Sequence, residues 1–325
     1  MNRSEVNFYW EKPIDPLKIK EAWEMAFCRK ISNELWFKYW DWLFKNNPFS
    51  DNVLASYIAV DDEIASFVAF SPIMITYCDI FYNAALGNNG FTNPKYLGMG
   101  YYSLIYSALI DQMRNLGYHI LFGFDNHNSH YPEVKYLGWK NLGLLTEFSL
   151  LSTKIKQKIN YNSKYKVIFE ELSEDIIKKL SNMEVSKEKF SFQRNYEFLK
   201  WRIVANPVNH YFTCNCYFAD TLLASAVLKS YQECEIDVME IFYNNDYFQE
   251  YNIILNAIIS FILGKGFKKI NIWSNLHSNE HLMLEKIGFV ECQFSSYLVY
   301  YPINMYFNNI DFKDLHYRFI DSDVY

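Results

Sequence analysis

Two glycines and one polar run carry the first chemical hints. In Thr92-Asn93-Pro94-Lys95-Tyr96-Leu97-Gly98-Met99-Gly100-Tyr101-Tyr102-Ser103, Gly98 and Gly100 stand between a stretch that reads as strand and one that reads as helix. Glycine there lets the backbone come close to an anion, and the free amides of a helix start point their positive ends at it. Such a pair alone also fits a plain turn. Further on, Asp125-Asn126-His127-Asn128-Ser129-His130-Tyr131 gathers carboxylate, imidazole and phenol, the groups that move protons in general acid–base catalysis. The same run also reads as a helix-capping loop.

A third run, His277-Ser278-Asn279-Glu280-His281, matches the H-x-x-E-H zinc arrangement. A zinc site needs a third ligand and a long helix, whereas these residues occupy the repeat position of His127 to Tyr131 at a helix entrance, so coincidence is favoured and no metal is expected. Cysteines 28, 78, 214, 216, 234 and 292 have no framework spacing and read as free thiols. Cys214 and Cys216 alternate on a strand and read as small buried residues.

The elements that would position these groups occur twice. Trp42 and Asn47-Pro48 return as Trp201 and Asn206-Pro207, and Ala65-Ser66-Phe67-Val68 returns as Ala224-Ser225-Ala226-Val227, both at 201 − 42 = 224 − 65 = 159. The helical stripe around Leu104 and Ile105 returns around Ile253 and Ile254, at an offset of 253 − 104 = 149. The second copy has therefore lost residues between Val68 and Leu104, the interval that holds the Gly-x-Gly of the first. A polar segment, Ser152 to Lys166, reads as a linker between domains 1–152 and 165–325.

Within one copy, Leu17 to Lys45 has helical spacing and is stopped at Asn46-Asn47-Pro48. Tyr57–Val60 and Ile64–Phe70 flank Asp61-Asp62 as a hairpin. A third strand is expected over Met74–Tyr82, and a fourth starts at Ala84. Leu104, Ile105, Ala108, Leu109, Met113 and Leu116 form one helix face ended by Gly117. Ile120–Phe124 reads as a buried strand, Ser129–Tyr136 as a helix, and a strand pair follows Trp139. The order predicts an α/β (α+β) fold with a mixed sheet.

Global composition excludes some partners. The formal charge of −6 provides no field to gather nucleic acid. No stretch reaches the roughly 18 apolar residues of a membrane span, and Met1-Asn2-Arg3-Ser4-Glu5 opens no signal-peptide pattern. A cytoplasmic protein is expected. Aromatic residues make up 19% of the chain, which points to large mixed cores or a ring-lined cleft.

Taken with its surroundings, the glycine run resembles the pyrophosphate loop of the GNAT superfamily, written R/Q-x-x-G-x-G/A. The resemblance extends through the following helix, through Ile120–Phe124 and Asp125–Ser129, to Leu137-Gly138-Trp139, which matches the closing L-G-F/W. Tandem members with the Trp-x4-Asn-Pro entry in each half are similar in organisation. Leu97 stands in the Arg/Gln slot and Tyr102 in the last Gly/Ala slot, so Gly98 and Gly100 are what remains of the motif.

The resemblance implies two GNAT-like domains, each a mixed, mainly antiparallel sheet flanked by helices, the second degenerate and without a phosphate loop. It implies acetyl-CoA as cosubstrate and a small-molecule amine as acceptor, such as an amino sugar or sugar nucleotide of surface-polysaccharide synthesis. Cofactor contacts would fall on Asn89, Gly90, Phe91 and Thr92 of a bulged strand, on Gly98, Met99, Gly100, Tyr101, Tyr102 and Ser103, and on Asn126 and Asn128. Asp125, His127 and His130 are the candidates for the base. The family's acid tyrosine falls on Val134, with Tyr131 one turn earlier as its substitute. Two alternatives are an aminoacyl transferase of the peptidoglycan-bridge type and a non-catalytic binding or assembly protein on the same scaffold.

Overall fold

The computed structural model describes residues 5–154, 164–183, 185, 188–244, 246, 250–292 and 296–322. Most of the expected linker, 155–163, lies outside the described residues. The first half runs β1 (Asn7–Phe8), α1 (Pro16–Phe27), α2 (Asn33–Trp40), β2 (Leu54–Val60), β3 (Glu63–Tyr77), β4 (Ile80–Thr92), α3 (Tyr101–Asn115), β5 (Ile120–Asp125), α4 (His127–Tyr136), β6 (Lys140–Leu145) and β7 (Glu147–Leu151). The second runs β8 (Lys166–Glu171), α5 (Glu174–Leu180), β9 (Phe190–Phe192), α6 (Tyr196–Leu199), β10 (Tyr211–Phe218), β11 (Thr221–Gln232), β12 (Glu235–Tyr243), α7 (Tyr251–Gly264), β13 (Lys269–Trp273), α8 (Asn279–Ile287), β14 (Val290–Glu291), β15 (Ser296–Pro302) and β16 (Leu315–His316).

Local chemistry accounts for the boundaries. Asp15 accepts from the Leu17 amide with Pro16 opening α1, and Ser32 accepts from the Leu35 amide to open α2. The repeated tryptophan lies in a π-helical turn in both copies, Asp41–Lys45 and Lys200–Val204, and the chain leaves the helix just before each Asn-Pro. Asp61-Asp62 and Cys78-Asp79 take positive φ angles (49 and 68°, 49 and 64°), as two-residue hairpins joining right-twisted strands require. The second turn corrects the strand partition read from sequence. The strands expected at 64–70 and 74–82 are redivided: both 64–70 and 74–77 belong to the single strand β3, and Ile80, Phe81 and Tyr82 open β4.

Along α3 the buried face is Ile105, Tyr106, Leu109, Ile110 and Met113, with Leu104 and Leu116 exposed, so the expected stripe is rotated by about one position. Gly117, at φ +81°, ends the helix, and the Tyr118 amide returns to the Met113 carbonyl at 3.1 Å.

The chain divides into two compact units. One comprises residues up to Gly143 together with Ser296–Ile310, the other Leu144–Ser295 with the tail from Asp311. The first carries the sheet β1-β2-β3-β4-β5-β15-β6, in which β4 and β5 are parallel and β5 meets β15 antiparallel. The second carries β14-β7-β13-β12-β11-β10-β8, with β12 and β13 parallel and β7 antiparallel to both β13 and β14. Both sheets are mixed and mainly antiparallel. Along each of these strand orders one strand comes from the other half of the sequence: β15 completes the first and β7 the second. The boundaries 1–152 and 165–325 thus mark the repeat in sequence, whereas the units in space trade a terminal strand.

The first core packs α3 on the sheet through Phe70, Ile105, Leu109, Met113 and Trp139. The second packs α7 through Ile254, Ile258 and Ile262 against Leu228, Ile236 and Ile270, and it buries Cys214 and Cys216. The tail packs on the second unit: Phe319 lies 4.8 Å from Trp273 between ring centres, and Tyr317 donates to the Ser274 carbonyl at 3.0 Å. All six cysteines are free thiols.

Candidate functional site

The site is built where β4 and β5 part. These strands pair through Ala84↔Ile120, Ala85↔Leu121 and Leu86↔Phe122, and the ladder stops there although β4 runs on to Thr92 and β5 to Asp125. A bulge bends β4 in the unpaired stretch. Its register against β3 passes from Phe67↔Phe91 to Ala69↔Asn88, so Asn89 and Gly90 are opposed by Val68 alone. Asn89 takes φ +48° and donates to the Tyr39 hydroxyl at 3.2 Å. Phe91 is buried against Phe67 and Phe27, and the Thr92 hydroxyl meets that of Ser66 at 3.0 Å.

Beyond β4, Pro94–Tyr96 forms one 3₁₀ turn capped by Asn93, and the chain then reaches Gly98 and Gly100 at φ +78° and +74°. Both conformations are costly for any residue with a Cβ. A Cβ at either position would meet nothing within 4 Å, so backbone torsion, not crowding, calls for glycine. Gly100 is the N-cap of α3 and offers no side-chain cap, and the Leu104 amide is the one that returns to its carbonyl, at 3.2 Å. The amides of Tyr101, Tyr102 and Ser103 therefore precede the helical ladder, at the positive end of a 15-residue helix. Met99 is exposed, and Lys95, the one cation of the loop, is paired with Glu63 at 2.8 Å.

Tyr102 turns its ring toward the bulge. A Cβ on Gly90 would lie 3.1 Å from Tyr102 Cζ and closer still to the hydroxyl, so Gly90 has no side chain because this phenol stands beside it. Burial pushes the Tyr102 hydroxyl up, and the charges of Glu133 and Asp125 add to the effect. The phenol at the bulge and the acids beyond β5 thus share one neighbourhood.

The acids come from β5 and α4. Asp125 is 5% exposed at the end of β5, with Oδ1 close to Gly123. Asn126 caps α4, accepting from the Asn128 and Ser129 amides while Ser129 accepts from the Asn126 amide. Its side-chain oxygen is thereby engaged, and Asn128 is exposed. His130 lies flat on Tyr297, 3.8 Å between ring centres at 15°, and its Nε2 is buried with no hydrogen-bond partner among the described residues. His127 Nδ1 stands 3.4 Å from the Tyr297 hydroxyl. Tyr131 is 61% exposed and meets Tyr136 edge-on, and Val134 packs on the first core.

Sequence reasoning missed Glu133. Burial raises its carboxyl first, then the Asp125 charge and a hydrogen bond to Asp125, to about 9. A signal was present: residues 129, 130, 133, 134 and 137 are the partly buried positions of α4 and its end, the 3–4 spacing of an inward stripe, and Glu133 lies on it.

The second unit differs at the corresponding place. No glycine stands between Tyr243 and Tyr251, and 245 and 247–249 lie outside the described residues, so the expectation of a lost phosphate loop falls partly on them. The β12–β13 ladder stops at Val238↔Ile272, and tail residues stand at the strand ends. Arg318 donates to the Trp273 carbonyl at 2.8 Å, lies 3.5 Å from Glu240 and pairs with Glu280; Arg194 bridges Glu240 and Asp321 at 2.9 and 2.7 Å. Glu280, the acid of the H-x-x-E-H run, is committed to Arg318 and Tyr251. Among the described residues no group of three or more His, Cys, Asp or Glu could hold a metal ion. Among the same residues no helix is long and apolar enough to cross a membrane.

Each unit has a mixed sheet whose two central parallel strands part, and in the first they part beside a glycine-led helix start, the arrangement of the GNAT fold. Solved structures match it. A probable N-acyltransferase of unknown function from Enterococcus faecalis V583 aligns over 94% of this chain and 73% of its own, at a TM-score of 0.72 and 11% identity. A GCN5-related N-acetyltransferase from Anabaena variabilis aligns over 92% and 73%, at 0.70 and 10%. A tandem GNAT protein from the clavulanic acid biosynthesis pathway aligns over 92% and 99%, at 0.58 and 8%. At these identities the likeness establishes the fold. No protein-family model and no curated protein matches the sequence.

Proposed function

We propose that this chain transfers an acetyl group from acetyl-CoA to a primary amine of a small molecule. The observation that carries the reading is the split between β4 and β5 beside the uncapped start of α3. Two glycines at positive φ and the amides that follow them fit a pyrophosphate. The bulge at Asn89-Gly90 lies in the stretch of β4 that β5 leaves unpaired, and strand amides there would pair with the pantetheine arm and polarise the thioester carbonyl. Asn126 and Asn128 border the same end of the site. Acetyl-CoA supplies the activated acyl group; the chain binds it, orients the amine and moves protons.

Asp125 and His130 are the proposed proton acceptors and Tyr131 a proton donor at the end of β5. Asp125 is buried and His130 keeps an unpartnered ring nitrogen, as a base awaiting a substrate proton would. The acceptor would lie on the aromatic side of α1 and α2, where Trp23, Phe27 and Trp36 cluster and Phe27 reaches Phe91. An amino sugar or sugar nucleotide is the proposed acceptor class and the cytoplasm the proposed compartment. Thiol release from acetyl-CoA with a panel of amino sugars, amino acids and polyamines tests the activity; none with any acceptor would defeat it.

One observation favours a second reading. The Tyr102 ring beside Gly90 stands where relatives of the motif carry Gly or Ala, and Leu97 replaces the loop's polar residue. Both fit a scaffold that has given up its cosubstrate and serves binding or assembly. Calorimetry with coenzyme A separates the two: saturable binding supports the enzyme and its absence the scaffold.

A further inference from the structure

We infer that Tyr39 is a positioning residue of the reaction: through its hydrogen bond to Asn89 it fixes the bulge of β4, and with it the strand amides to which the thioester carbonyl is assigned. This rests on the acyl-transfer reading above.

Asn89 holds a conformation that the ladder does little to enforce. At φ +48° it lies in the left-handed region, which disfavours residues with a Cβ and which Asn tolerates better than most. β5 has left β4 three residues earlier, at Leu86↔Phe122, and on the other side Asn89 and Gly90 have Val68 alone opposite them. A side-chain bond supplies the missing restraint: Asn89 Nδ2 donates to the Tyr39 hydroxyl at 3.2 Å. The peptide planes on either side of a residue turn with its φ and ψ, so holding Asn89 fixes the direction of its own amide and that of Gly90.

The side chains of this stretch reach two different layers. Gly90 turns to α3, where the Tyr102 ring stands beside the place of a Cβ, while Asn89 and Phe91 turn to α2 and α1. Phe91 meets Phe27 of α1 edge-on at 6.2 Å between ring centres, so the helix pair touches the bulged stretch at two points. The Tyr39 ring packs on Trp36 and Trp42, at 6.2 and 5.8 Å. Trp36 belongs to the cluster assigned to the acceptor. One residue of α2 thus joins the surface proposed for the amine to the strand proposed for the thioester.

The second copy supplies a comparison within the same chain. At the offset that brings Trp42 onto Trp201, 198 − 39 = 159, Tyr39 falls on Phe198. The ring pairing is kept, with Phe198 and Trp201 6.1 Å apart. β12 is also bulged, between Val227↔Glu240 and Leu228↔Val238, yet no residue of β12 takes a positive φ. The copy with the loop glycines has both the hydroxyl and the left-handed Asn, and the other copy has neither. Packing alone asks only for a ring at this place, so the hydroxyl answers to the bulge.

Two single variants separate the bond from the fold. Tyr39→Phe keeps the ring, as the second copy does, and Asn89→Gly keeps the left-handed torsion, so each loses the bond and little else. Either one suffices should the other fail to fold. With carbonyl-labelled acetyl-CoA bound to the full chain, infrared difference spectra are expected to place the carbonyl stretch below its value in water in the wild type, and to return it toward that value in both variants. In thiol-release assays each variant should lose about tenfold in turnover. The loss should fall on kcat more than on KM for acetyl-CoA, since an amide that polarises the carbonyl acts most in the transition state. The double variant should lose no more than either single one, because both remove the same bond. A carbonyl stretch that stays at the wild-type position in both variants, or single losses that multiply in the double variant, overturns the proposal. A wild type that turns over with an amine while both variants match it overturns the role of Tyr39 alone; a wild type that releases no thiol with any amine overturns that role and the acyl-transfer reading together.

Discussion

Arg318 donates from Nη1 to the main-chain carbonyl of Trp273 at 2.8 Å, and its Nε lies 3.5 Å from Glu240. Trp273 follows the last residue of β13 paired with β12, and Glu240 lies two residues past the last residue of β12 paired with β13. One tail side chain thus spans two strand ends after their ladder has stopped. With Arg194, His316, Glu280 and Asp321 it makes a buried network in which most of each charge is met by another.

Replacing Arg318 with Met should therefore cost far more than an exposed ion pair would. Removing one partner leaves Glu240 and Glu280 short of positive charge in a dry site, a loss of about 3–5 kcal/mol. Urea unfolding followed by tryptophan fluorescence should show the midpoint falling by the matching amount. A variant within about 0.5 kcal/mol of wild type would mean the network contributes little.

Acid should weaken the second unit. Burial raises Glu240, but His316, Arg194 and Arg318 outweigh it and hold the carboxyl down to about 2. A folded value below the unfolded one, about 4.3, contributes stability that is full above the unfolded value and is lost as pH falls toward the folded one. Asp321 is raised by burial and opposes this, while Glu280 is lowered and adds to it. Thermal midpoints of wild type and Glu240→Gln, compared from neutral pH downward, should converge below about pH 4; parallel curves would exclude the linkage.

At the head of α3 the glycines should tolerate a methyl sterically but not torsionally. Gly98→Ala and Gly100→Ala are each expected to cost about 1–2 kcal/mol, the penalty of a left-handed residue, with no clash, because no atom lies within 4 Å of the added Cβ. If the loop amides grip coenzyme A, the double variant should also bind it about tenfold more weakly, a difference of about 1.4 kcal/mol. Calorimetry reads both arms.

Gly90 presents the opposite case. A methyl there meets the Tyr102 hydroxyl and Cζ, so Gly90→Ala should cost about 1–3 kcal/mol by overpacking. Tyr102→Ala should relieve most of that, and Tyr102→Phe part of it. A double-mutant cycle with coupling below about 0.5 kcal/mol would show that the ring moves aside freely.

The legible parts of the molecule were those that depend on local chemistry. Gly98, Gly100 and Gly117 all take the positive φ that their places at helix ends implied. Periodicity found α3, but its apolar residues cover more than one face, so pattern alone could not tell that Tyr106 and Ile110 are inside while Leu104 is outside. The gap expected between Phe70 and Met74 contains Pro72, yet β3 runs through it. The β2 partner stops at Leu54↔Phe70, so the missing amide proton of Pro72 interrupts no bond of that ladder.

The candidate site was legible as a place more than as chemistry. Asp125 and His130 could be named because a strand end followed by a capping run is visible in the residues. Glu133 could not, because the burial and the Asp125 charge that raise its carboxyl depend on the return of α4 toward β5. The partners of β7 and β15 were equally invisible. Alternating apolar residues such as Phe148 and Leu150 show that a strand is half buried, and say nothing of which sheet receives it.

That exchange of β7 and β15 constrains what can be done with the gene. A fragment that stopped between the repeats would synthesise β7 with no β13 to receive it, and would leave β5 and β6 with an open seam between them where β15 belongs. The duplicated halves look like interchangeable parts, yet each is finished only after the ribosome has read the other. Either copy made alone would present raw strand edges to its neighbours and aggregate.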